Sequence, residues 1–409
     1  MTRGFSVYIH VPFCAVRCGY CDFNTYTVGF GRGAEPTTYA VSVERELTQA
    51  RERGLLREAQ SVYLGGGTPS LLPDDEIAAL LMAVRRLGGI AEGAEVSLEA
   101  NPDTVTPART AAWSKAGITR VSMGMQSAVP HVLATLERTH SPLAVPRAVE
   151  AVKAAGMDVS VDLIYGTPRE SLSDWEASLK AAIALEPDHV SAYGLVVEKG
   201  TKMGRLVARG ELPAPSSDDE AEKYMLADEL LARAGYAWYE ISNWARRGPA
   251  EDRVGDATKL AHASRHNLAY WSDDEWWGAG PGAHSFVRGR RWWNVKHPGV
   301  YAASLAAGRP VEDDGEVPTA DERRLEHVMV AIRLARGLSL SDASEDGNRD
   351  GVVAGLLRDG LACVFRPQPD GTWEPVEGPV EERLSSDRLV LTLKGRLLAD
   401  EVTRRLVFS

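Results

Sequence analysis

The amino-acid sequence predicts an α/β protein, built as a partial (β/α)6 barrel that is followed by a smaller C-terminal α+β module. Three observations support this fold class. In the first half of the chain, apolar segments rich in β-branched residues alternate with amphipathic segments of helical periodicity. Glycines and polar residues follow the carboxyl ends of the apolar segments. After about residue 205 the alternation stops and tryptophans become frequent.

Six segments of the first half are predicted strands, because they are short, apolar and β-branched. In chain order they are FSVYIHVP, SVYLGGG, EVSLEANP, RVSMGMQS, DVSVDLIYGTP and HVSAYGLVV. The stretches between them, such as DDEIAALLMAVRRLGG, have the period of amphipathic helices. Several end on glycine, which is favoured just past the end of a helix: Gly54, Gly88, Gly117 and Gly156.

Strands that alternate with helices form parallel sheets through right-handed crossovers. Six such units fall short of a closed (β/α)8 barrel, so we expect a barrel that is open on one side. Cys14 follows the first strand, and Gly66, Glu99 and Gln126 lie near the ends of the next three. Asp162 lies in the fifth strand. Because the carboxyl ends of parallel strands share one edge, where ligands bind, the sequence predicts a ligand site at this rim.

The predicted domains are the barrel over residues 1–205, a tryptophan-rich accessory region over 206–310 and the α+β domain over 311–409. Seven of the ten tryptophans lie between residues 238 and 293, which sets the accessory region apart from the barrel. The last domain begins with the helical stretch TADERRLEHVMVAIRLARGL and closes with DRLVLTLKGRLLADEVTRRLVFS, a strand that runs into a helix. Cys363 is predicted to pack there as a small apolar residue.

The chain is acidic, since 46 Lys and Arg against 57 Asp and Glu give a formal net charge of −11. Proteins that bind nucleic acids usually carry a basic surface, so the charge argues against a nucleic-acid partner. The first residues lack the apolar region of a secretory signal, and no stretch is apolar for long enough to span a membrane. Four cysteines, three of them clustered, indicate a reducing cytoplasm and a metal site rather than a disulfide framework.

Three cysteines, Cys14, Cys18 and Cys21, form a C-x3-C-x2-C pattern on the loop after the first strand. Structural zinc normally takes a full set of protein ligands, and the nearest further candidate, His10, lies within the strand itself. A four-iron cube held by three cysteines keeps one iron open, as a catalytic metal requires. The spacing favours such an iron–sulfur cluster, while zinc and unrelated buried thiols stay open as alternatives.

The cysteine loop resembles the signature of the radical S-adenosylmethionine (SAM) superfamily, with Tyr20 as the aromatic residue before Cys21. The segment GGGTPS after the second strand strengthens the resemblance, because the superfamily places such a glycine turn against the amino group of SAM. The resemblance implies that the three cysteines hold a 4Fe–4S cluster whose fourth iron chelates SAM. One electron from the reduced cluster would then cleave SAM to methionine and a 5′-deoxyadenosyl radical.

Within the superfamily the chain resembles the coproporphyrinogen-dehydrogenase-like branch, whose SAM site can be carried over residue by residue. The residue types suit SAM, because glycines admit a close backbone approach, carboxylates suit ribose hydroxyls or the sulfonium, and arginine suits a carboxylate. A single aspartate or arginine has a plainer explanation as a helix cap or a solvated charge, but the joint set on one rim indicates a binding site. The residues are Tyr8, Tyr20, Gly66, Gly67, Thr68, Glu99, Gln126, Arg138 and Asp162.

Nearly the whole chain resembles the HemW-type heme chaperones, which implies a HemN-like C-terminal domain. The matching segments are GYAWYEISNWA, SRHNLAYWSDDEWWGAGPGAHSF and LTLKGRLLADEV. The related oxygen-independent coproporphyrinogen III oxidases carry a further cysteine two residues after the third, where this chain has Phe23. The missing thiol favours the chaperone branch and argues against oxidase activity.

The segment HNLAYW matches the H-N-x-x-Y-W motif that is linked to heme binding in that family. His266 is the candidate axial ligand, because neutral imidazole suits heme iron. Asn267, Tyr270 and Trp271 would orient the imidazole or stack on the porphyrin. A buried histidine that is satisfied by hydrogen bonds is the alternative. The family commonly has cysteine where this chain has Ser264, so any contribution of that thiol is absent.

The resemblance implies a cytoplasmic protein of porphyrin metabolism that binds a 4Fe–4S cluster, SAM and heme. It would pass heme to apo-heme proteins such as respiratory cytochromes, and an electron donor would reduce its cluster. Peripheral contact with a membrane and a homodimer stay open. Two enzymes are the alternatives: an oxygen-independent coproporphyrinogen III dehydrogenase, and a HemN-like radical SAM methyltransferase in which GAGPGAHS helps to line a second SAM site.

Overall fold

The structure is a computed structural model that describes residues 3–29, 35–141, 143–249, 251, 255–343, 349–378 and 383–408. The chain divides into two compact units. The first comprises Met1–Lys223 and Asp274–Val317, and the second comprises Tyr224–Asp273 and Pro318–Ser409. The predicted domain boundaries after residues 205 and 310 stay a prediction, because a compact unit groups residues by contact, whereas a domain is defined by independent folding.

Strands and helices alternate through the first half of the chain. The strands are β1 Phe5–Val11, β2 Phe13–Cys14, β3 Tyr26–Thr27, β4 Ala59–Gly66, β5 Ile90–Ala100, β6 Arg120–Gln126, β7 Asp158–Tyr165, β8 His189–Gly194, β9 Tyr236–Glu240, β10 Asn243–Arg246, β11 Glu275–Ala279, β12 His284–Val287, β13 Arg290–Asn294, β14 Glu312–Glu316, β15 Leu338–Ser339, β16 Ala362–Pro367, β17 Trp373–Pro375 and β18 Arg388–Leu391. The helices are α1 Tyr39–Glu52, α2 Asp74–Leu87, α3 Pro107–Ala116, α4 Pro130–Thr135, α5 Ala144–Ala154, α6 Leu172–Ala184, α7 Lys202–Ala208, α8 Ser217–Arg233, α9 Arg265–Trp271, α10 Pro298–Ala306, α11 Ala320–Ala331, α12 Arg349–Arg358, α13 Leu393–Leu397 and α14 Ala399–Phe408. Short 3-10 helices cover Pro36–Thr38, Pro69–Leu71, Pro102–Thr104, Ala257–Lys259 and Leu340–Asp342.

Six strands of the first unit, β1, β4, β5, β6, β7 and β8, lie side by side in chain order and pair in parallel. Their residues are buried in nearly continuous runs, as parallel strands with helices on their faces require. On its other side β1 pairs with β11 rather than with β8, so the barrel does not close. The predicted α/β class and the open barrel are therefore confirmed.

The strand β11 extends the barrel beside β1 and was not predicted. The two strands pair in parallel from Phe5 and Glu275 to Ile9 and Ala279, and β12, β13 and β14 continue the sheet in antiparallel order. The segment EWWGAGPG is short and rich in tryptophan and glycine, so it lacks the β-branched pattern of the other strands. The extension brings the loop after β11 to the same edge of the sheet as the loop after β1.

The helices of the barrel follow from their apolar spacing and their caps. In α2 the buried residues Ile77, Leu80, Leu81 and Val84 repeat every three or four positions and form one face. Acidic residues fill the first turn of this helix and arginines the last, which complements the helix dipole. Among the described residues, every helix is too short or too polar to cross a membrane.

The second unit contains an α+β core. The strands β15, β18, β16 and β17 form an antiparallel sheet, and α11, α12 and α14 contribute to the same apolar cluster as its strands. Fully buried members of this cluster include Ile332, Val353, Leu389 and Val402. Cys363 lies in β16, half-buried, and its thiol contacts the carbonyl oxygen of Val390 at 3.6 Å.

A buried ion pair stabilises the first unit. The side chains of Lys223 and Glu170 are fully buried, with Nζ 3.3 Å from Oε2. Lys223 also donates to the carbonyl oxygen of Glu170 at 2.9 Å and to Asp219 at 2.7 Å. Burial raises the pKa of the Glu170 carboxyl, and the neighbouring Lys223 acts in the opposite direction. The Lys223 ammonium group is therefore the main group that offsets the free-energy cost of removing the Glu170 carboxylate from water.

Replacing Lys223 by methionine should lower the free energy of unfolding by about 3–5 kcal/mol, because Glu170 would stay buried without a cation. Urea denaturation at neutral pH measures the change. The matched control is Lys180→Met, which breaks the exposed pair with Glu176, and we expect it to cost less than about 1 kcal/mol. Equal losses in the two variants would contradict a special role for the buried pair.

Candidate functional site

Of the three clustered cysteines, Cys14 ends β2, and Cys18 and Cys21 lie on the loop between β2 and β3. These short strands pair in parallel, which draws the ends of the loop together. Within the loop the backbone nitrogen of Cys21 donates to the carbonyl oxygen of Cys18 at 3.2 Å, and Val28 donates to Cys14 at 3.1 Å. Cys14 is buried, Cys18 and Cys21 are half-buried, and all are free thiols. The local backbone thus holds three thiols on one compact loop.

The surroundings of the thiols bear on metal binding. Burial raises the pKa of Cys14 and Cys21, and coordination to a metal reverses this effect because it deprotonates the thiol. Hydrogen-bond donors approach the sulfurs: Thr68 Oγ1 lies 3.9 Å from Cys14 Sγ, and Arg138 Nη1 lies 3.8 Å from Cys18 Sγ. Donors of this kind tune the potential of an iron–sulfur cluster.

The glycine turn after β4 packs directly on β1 and the cysteine loop. Gly66 has φ +110°, and a Cβ there would lie 2.5 Å from the His10 ring. A Cβ on Gly67 would lie 2.6 Å from the carbonyl oxygen of Phe13, so neither position accepts a side chain without a shift. Thr68 follows, and its backbone nitrogen donates to Phe13 at 2.8 Å. The turn therefore lies beside the first cysteine.

Two carboxylates occupy strands of the rim. Glu99 Oε1 accepts from Tyr63 Oη at 2.8 Å, and its Oε2 accepts from the backbone nitrogen of Gly66 at 2.9 Å. Burial raises the pKa of Glu99 to about 7. Asp162 accepts from Ser122 Oγ at 3.0 Å, and burial raises its pKa as well. A cationic ligand would favour the ionised form of both groups.

Gln126 and Arg138 carry buried polar atoms for which no described residue supplies a hydrogen bond. These atoms are Gln126 Oε1 and Arg138 Nε. Gln126 ends β6 with φ +63°, a conformation that is uncommon outside glycine and is found at functional sites. Arg138 is held by a hydrogen bond from Nη2 to the carbonyl oxygen of Gly124 at 3.1 Å. Since buried polar atoms are rarely unsatisfied, one free acceptor and one free donor indicate a place for a polar ligand.

The two remaining candidates for SAM binding are tyrosines. Tyr8 Oη lies 3.0 Å from His10 Nδ1, and its ring stacks 6.2 Å from that of Tyr63. Tyr20 packs against the apolar cluster around Leu136, and burial raises the pKa of its phenol. His10 also contacts the Asn24 carbonyl oxygen through Nε2 at 2.9 Å. Both its ring nitrogens are thus engaged, which argues against His10 as the fourth ligand of a zinc site.

The H-N-x-x-Y-W segment forms α9 in the second unit. Ser264 caps the helix, because its side chain accepts from the backbone nitrogen of Asn267 at 3.3 Å. His266 and Tyr270 lie one turn apart, with perpendicular rings and 3.1 Å between Nε2 and Oη. His266 is 2% exposed, and burial lowers its pKa to about 3. Its imidazole is therefore neutral at physiological pH, while the half-buried Trp271 ends the helix.

Sequence reasoning missed Glu240, which supports this helix. The residue is 2% exposed, and its carboxyl accepts from Asn267 Nδ2 at 2.5 Å and from the side chain of Asn243. Burial raises the pKa of Glu240 to about 7, and the two asparagines act in the opposite direction. The only signal was an acidic residue at the end of the apolar strand YAWYE, where a carboxyl needs a partner.

Glu46 supports the loop after β11 in the first unit. The residue is 2% exposed, and its carboxyl accepts from the backbone nitrogen of Gly280 at 2.8 Å. Tyr301 Oη and Asn294 Nδ2 also donate to it, at 2.5 and 2.8 Å. Burial raises the pKa of Glu46 from its ordinary value of 4.5 to about 7.

The raised pKa of Glu46 should make the free energy of unfolding fall as pH rises from about 5 to about 8. The contribution of this one carboxyl is up to roughly 3 kcal/mol. The native state keeps the Glu46 proton between pH 4.5 and about 7, whereas the unfolded chain releases it, so unfolding releases protons and becomes easier at higher pH. Urea titrations at several pH values should show a smaller slope for Glu46→Gln. The exposed Glu52→Gln on the same helix should keep the wild-type slope. Identical slopes in all three proteins would contradict the assignment.

Comparisons with known proteins extend this description. Residues 8–182 match the model of the Radical SAM superfamily. The chain is 46% identical over 406 residues to the heme chaperone HemW of Mycobacterium tuberculosis (strain CDC 1551 / Oshkosh), an alignment that covers 98% of this chain and 95% of that protein. It is 32% identical over 402 residues to the heme chaperone HemW of Bacillus subtilis (strain 168), with 97% of each chain covered.

Among solved structures, the chain is similar to coproporphyrinogen III oxidase (HemN) from Escherichia coli, a radical SAM enzyme. The TM-score is 0.77 at 20% sequence identity, and the match covers 100% of this chain and 91% of that one. At this identity the similarity establishes the fold alone. The sequence relatives decide the family: the chain belongs to the HemW heme chaperones of the radical SAM superfamily.

Proposed function

We propose that the chain binds a 4Fe–4S cluster and SAM at the rim of the barrel, binds heme at the H-N-x-x-Y-W helix, and delivers heme to apo-heme proteins. One observation carries the assignment of the rim: three clustered free thiols lie in a unit where Gln126 Oε1, at the end of β6, and Arg138 Nε are buried without a hydrogen-bond partner among the described residues. The family of the chain supports the role in heme delivery.

Cys14, Cys18 and Cys21 would ligate the cluster, since no other cysteine lies near them in the sequence. The bound cluster would supply one electron to SAM. Thr68 and Arg138 approach two of the sulfurs as donors, at 3.9 and 3.8 Å. Their hydrogen bonds would stabilise the negative charge on the ligated thiolates and so raise the potential of the site.

SAM would lie across the rim, where several side chains and the glycine turn suit its charged and polar groups. The turn at Gly66 and Gly67, which packs tightly on β1 and the cysteine loop, would face its amino acid part, and Arg138 would donate to its carboxylate. Gln126 Oε1 is available to accept from a hydroxyl or an amine. The residues proposed for SAM are Tyr8, Tyr20, Gly66, Gly67, Thr68, Glu99, Gln126, Arg138 and Asp162.

His266 would ligate heme iron, because its imidazole is neutral at physiological pH and so offers a lone pair. Its Nε2 lies 3.1 Å from Tyr270 Oη, so ligation through this atom requires the contact to break. Asn267, fixed by Glu240, would hold the helix in place during this change. Tyr270 and Trp271 would contact the porphyrin. The proposed setting is the cytoplasm, with respiratory cytochromes among the recipients and a separate electron donor for the cluster.

Oxidase activity is the main alternative to heme delivery, and Phe23 argues against it. Phe23 occupies the position of the additional oxidase cysteine and is 58% exposed. Anaerobic incubation of the reconstituted protein with coproporphyrinogen III, SAM and reductant should give no protoporphyrinogen above the level seen without protein. An oxygen-independent coproporphyrinogen III oxidase in the same assay is the positive control. Protoporphyrinogen formation by this chain would contradict the chaperone proposal.

A further inference from the structure

Asn24 joins the cysteine loop to a distant part of the first unit. It lies three residues after Cys21, and its Nδ2 donates to the carbonyl oxygens of Pro281 and Lys296, each at 2.9 Å. The acceptors lie on either side of β12 and β13, more than 250 residues further along the chain. The amide therefore connects the loop that carries the cysteines to the extension of the sheet.

The oxygen atoms of Asn24 accept hydrogen bonds from residues of β1 and β3. The backbone carbonyl oxygen of Asn24 lies 2.9 Å from His10 Nε2, and it accepts from this nitrogen because a carbonyl can only accept. In the neutral ring Nδ1 is then the acceptor, and Tyr8 Oη donates to it at 3.0 Å. Asn24 Oδ1 accepts from Tyr26 Oη at 3.2 Å. Asn24 is thus tied to β1, to β3 and to the loop after β11.

Two glycines let the loop after β11 pack closely on β1 and on the cysteine loop. Gly282 has φ +74°, and a Cβ there would lie 2.6 Å from Asn24 Nδ2. Gly280 has φ +107°, and a Cβ there would lie 2.5 Å from the carbonyl oxygen of His10. A side chain at Gly282 would push the two loops apart, and one at Gly280 would push the loop after β11 away from β1. This packing gives GAGPGAHS a role that does not depend on a second SAM site.

We propose that Asn24 is a positioning residue for the iron–sulfur cluster. It clamps the cysteine loop between β1 and the Gly280–Gly282 loop, so that the three thiols keep one arrangement when the cluster is absent and after it has bound. This inference rests on the proposed function, because it presupposes that Cys14, Cys18 and Cys21 ligate the cluster. Outer residues that orient metal ligands typically change metal retention by about 10–100-fold.

The substitution Asn24→Asp tests the clamp with little change of shape. It replaces the Nδ2 donor by an oxygen that faces two carbonyl oxygens, and Asn24→Ala removes the donor without adding charge. We expect both variants of the reconstituted full chain to release iron to a chelator about tenfold faster than wild type under anaerobic conditions. The electron paramagnetic resonance spectrum of the reduced cluster should broaden or shift. Asp22→Asn, an exposed change in the same loop, should behave as wild type.

A purely structural role would lower the thermal stability of the chain and leave the spectrum of the bound cluster unchanged, so it is distinguishable and would overturn the inference. Wild-type iron release and spectra in both Asn24 variants would overturn it as well. If neither variant folds, Tyr26→Phe, which removes one hydrogen bond to Asn24 Oδ1, should still speed iron release, and an unchanged rate would contradict the clamp. Wild-type protein that takes up no iron would instead refute the proposed function itself.

Discussion

Cys18→Ser should reduce the iron that the chain retains after anaerobic reconstitution from about four atoms to fewer than about one. Cys18 is one of three free thiols on a loop that the backbone folds onto itself. The variant would keep two thiolate ligands for the cluster. The serine hydroxyl does not replace the third, because it is a much weaker acid than a thiol. Iron and sulfide analysis, together with the absorption of the cluster, measures the loss.

Cys363→Ser is the matched control, because it removes the one cysteine that lies outside the loop. Cys363 is half-buried in β16, and its thiol contacts the carbonyl oxygen of Val390, which a serine hydroxyl can also do. This variant should keep the full complement of about four irons. A Cys18→Ser protein with the same iron content as the control would contradict the assignment of the cluster.

His266→Ala should weaken heme binding by about a hundredfold or more, because it removes the proposed axial ligand rather than a residue that only orients it. The variant also lacks the partner of Tyr270, whose hydroxyl lies 3.1 Å from Nε2. Titration of heme into the anaerobic protein, followed by its Soret band, gives the affinity. His327→Ala, at an exposed position on α11 of the same unit, should bind heme as wild type does.

Tyr270→Phe separates ligation from packing. The change keeps the aromatic ring and removes the hydroxyl that occupies Nε2. If Nε2 binds the iron, the variant no longer has to break this hydrogen bond, which is worth about 1 kcal/mol, and heme affinity should rise about fivefold. Heme affinities that are unchanged in both His266→Ala and Tyr270→Phe would remove His266 as the ligand.

The barrel could be predicted from the sequence because its signals are local. Each of the six strands is a short apolar run, and helices such as α2 show a regular apolar face, formed there by Ile77, Leu80 and Val84. The thiol cluster was equally accessible, since its three members lie within eight residues. Segments of this kind determine their own structure through periodicity and spacing, without reference to the rest of the chain.

What the sequence did not predict depends on contacts between distant residues. The pairing of β11 with β1 joins residues about 270 positions apart, and its sequence carries no strand pattern. Asn24 and Glu240 look ordinary in isolation, because their partners, Pro281 and Asn267, are identified only once the chain has folded.

The central claim is that this chain carries heme and gives it to other proteins. The most direct test mixes the heme-loaded, reconstituted protein with an apo-cytochrome under anaerobic conditions and follows the absorption of the holo-cytochrome. We predict that heme reaches the cytochrome faster from the wild-type protein than from free heme in solution. The His327→Ala variant should keep this faster transfer, and the His266→Ala variant should lose it. If holo-cytochrome forms no faster with wild type or with His266→Ala than it does from free heme, the result would contradict heme delivery by this chain.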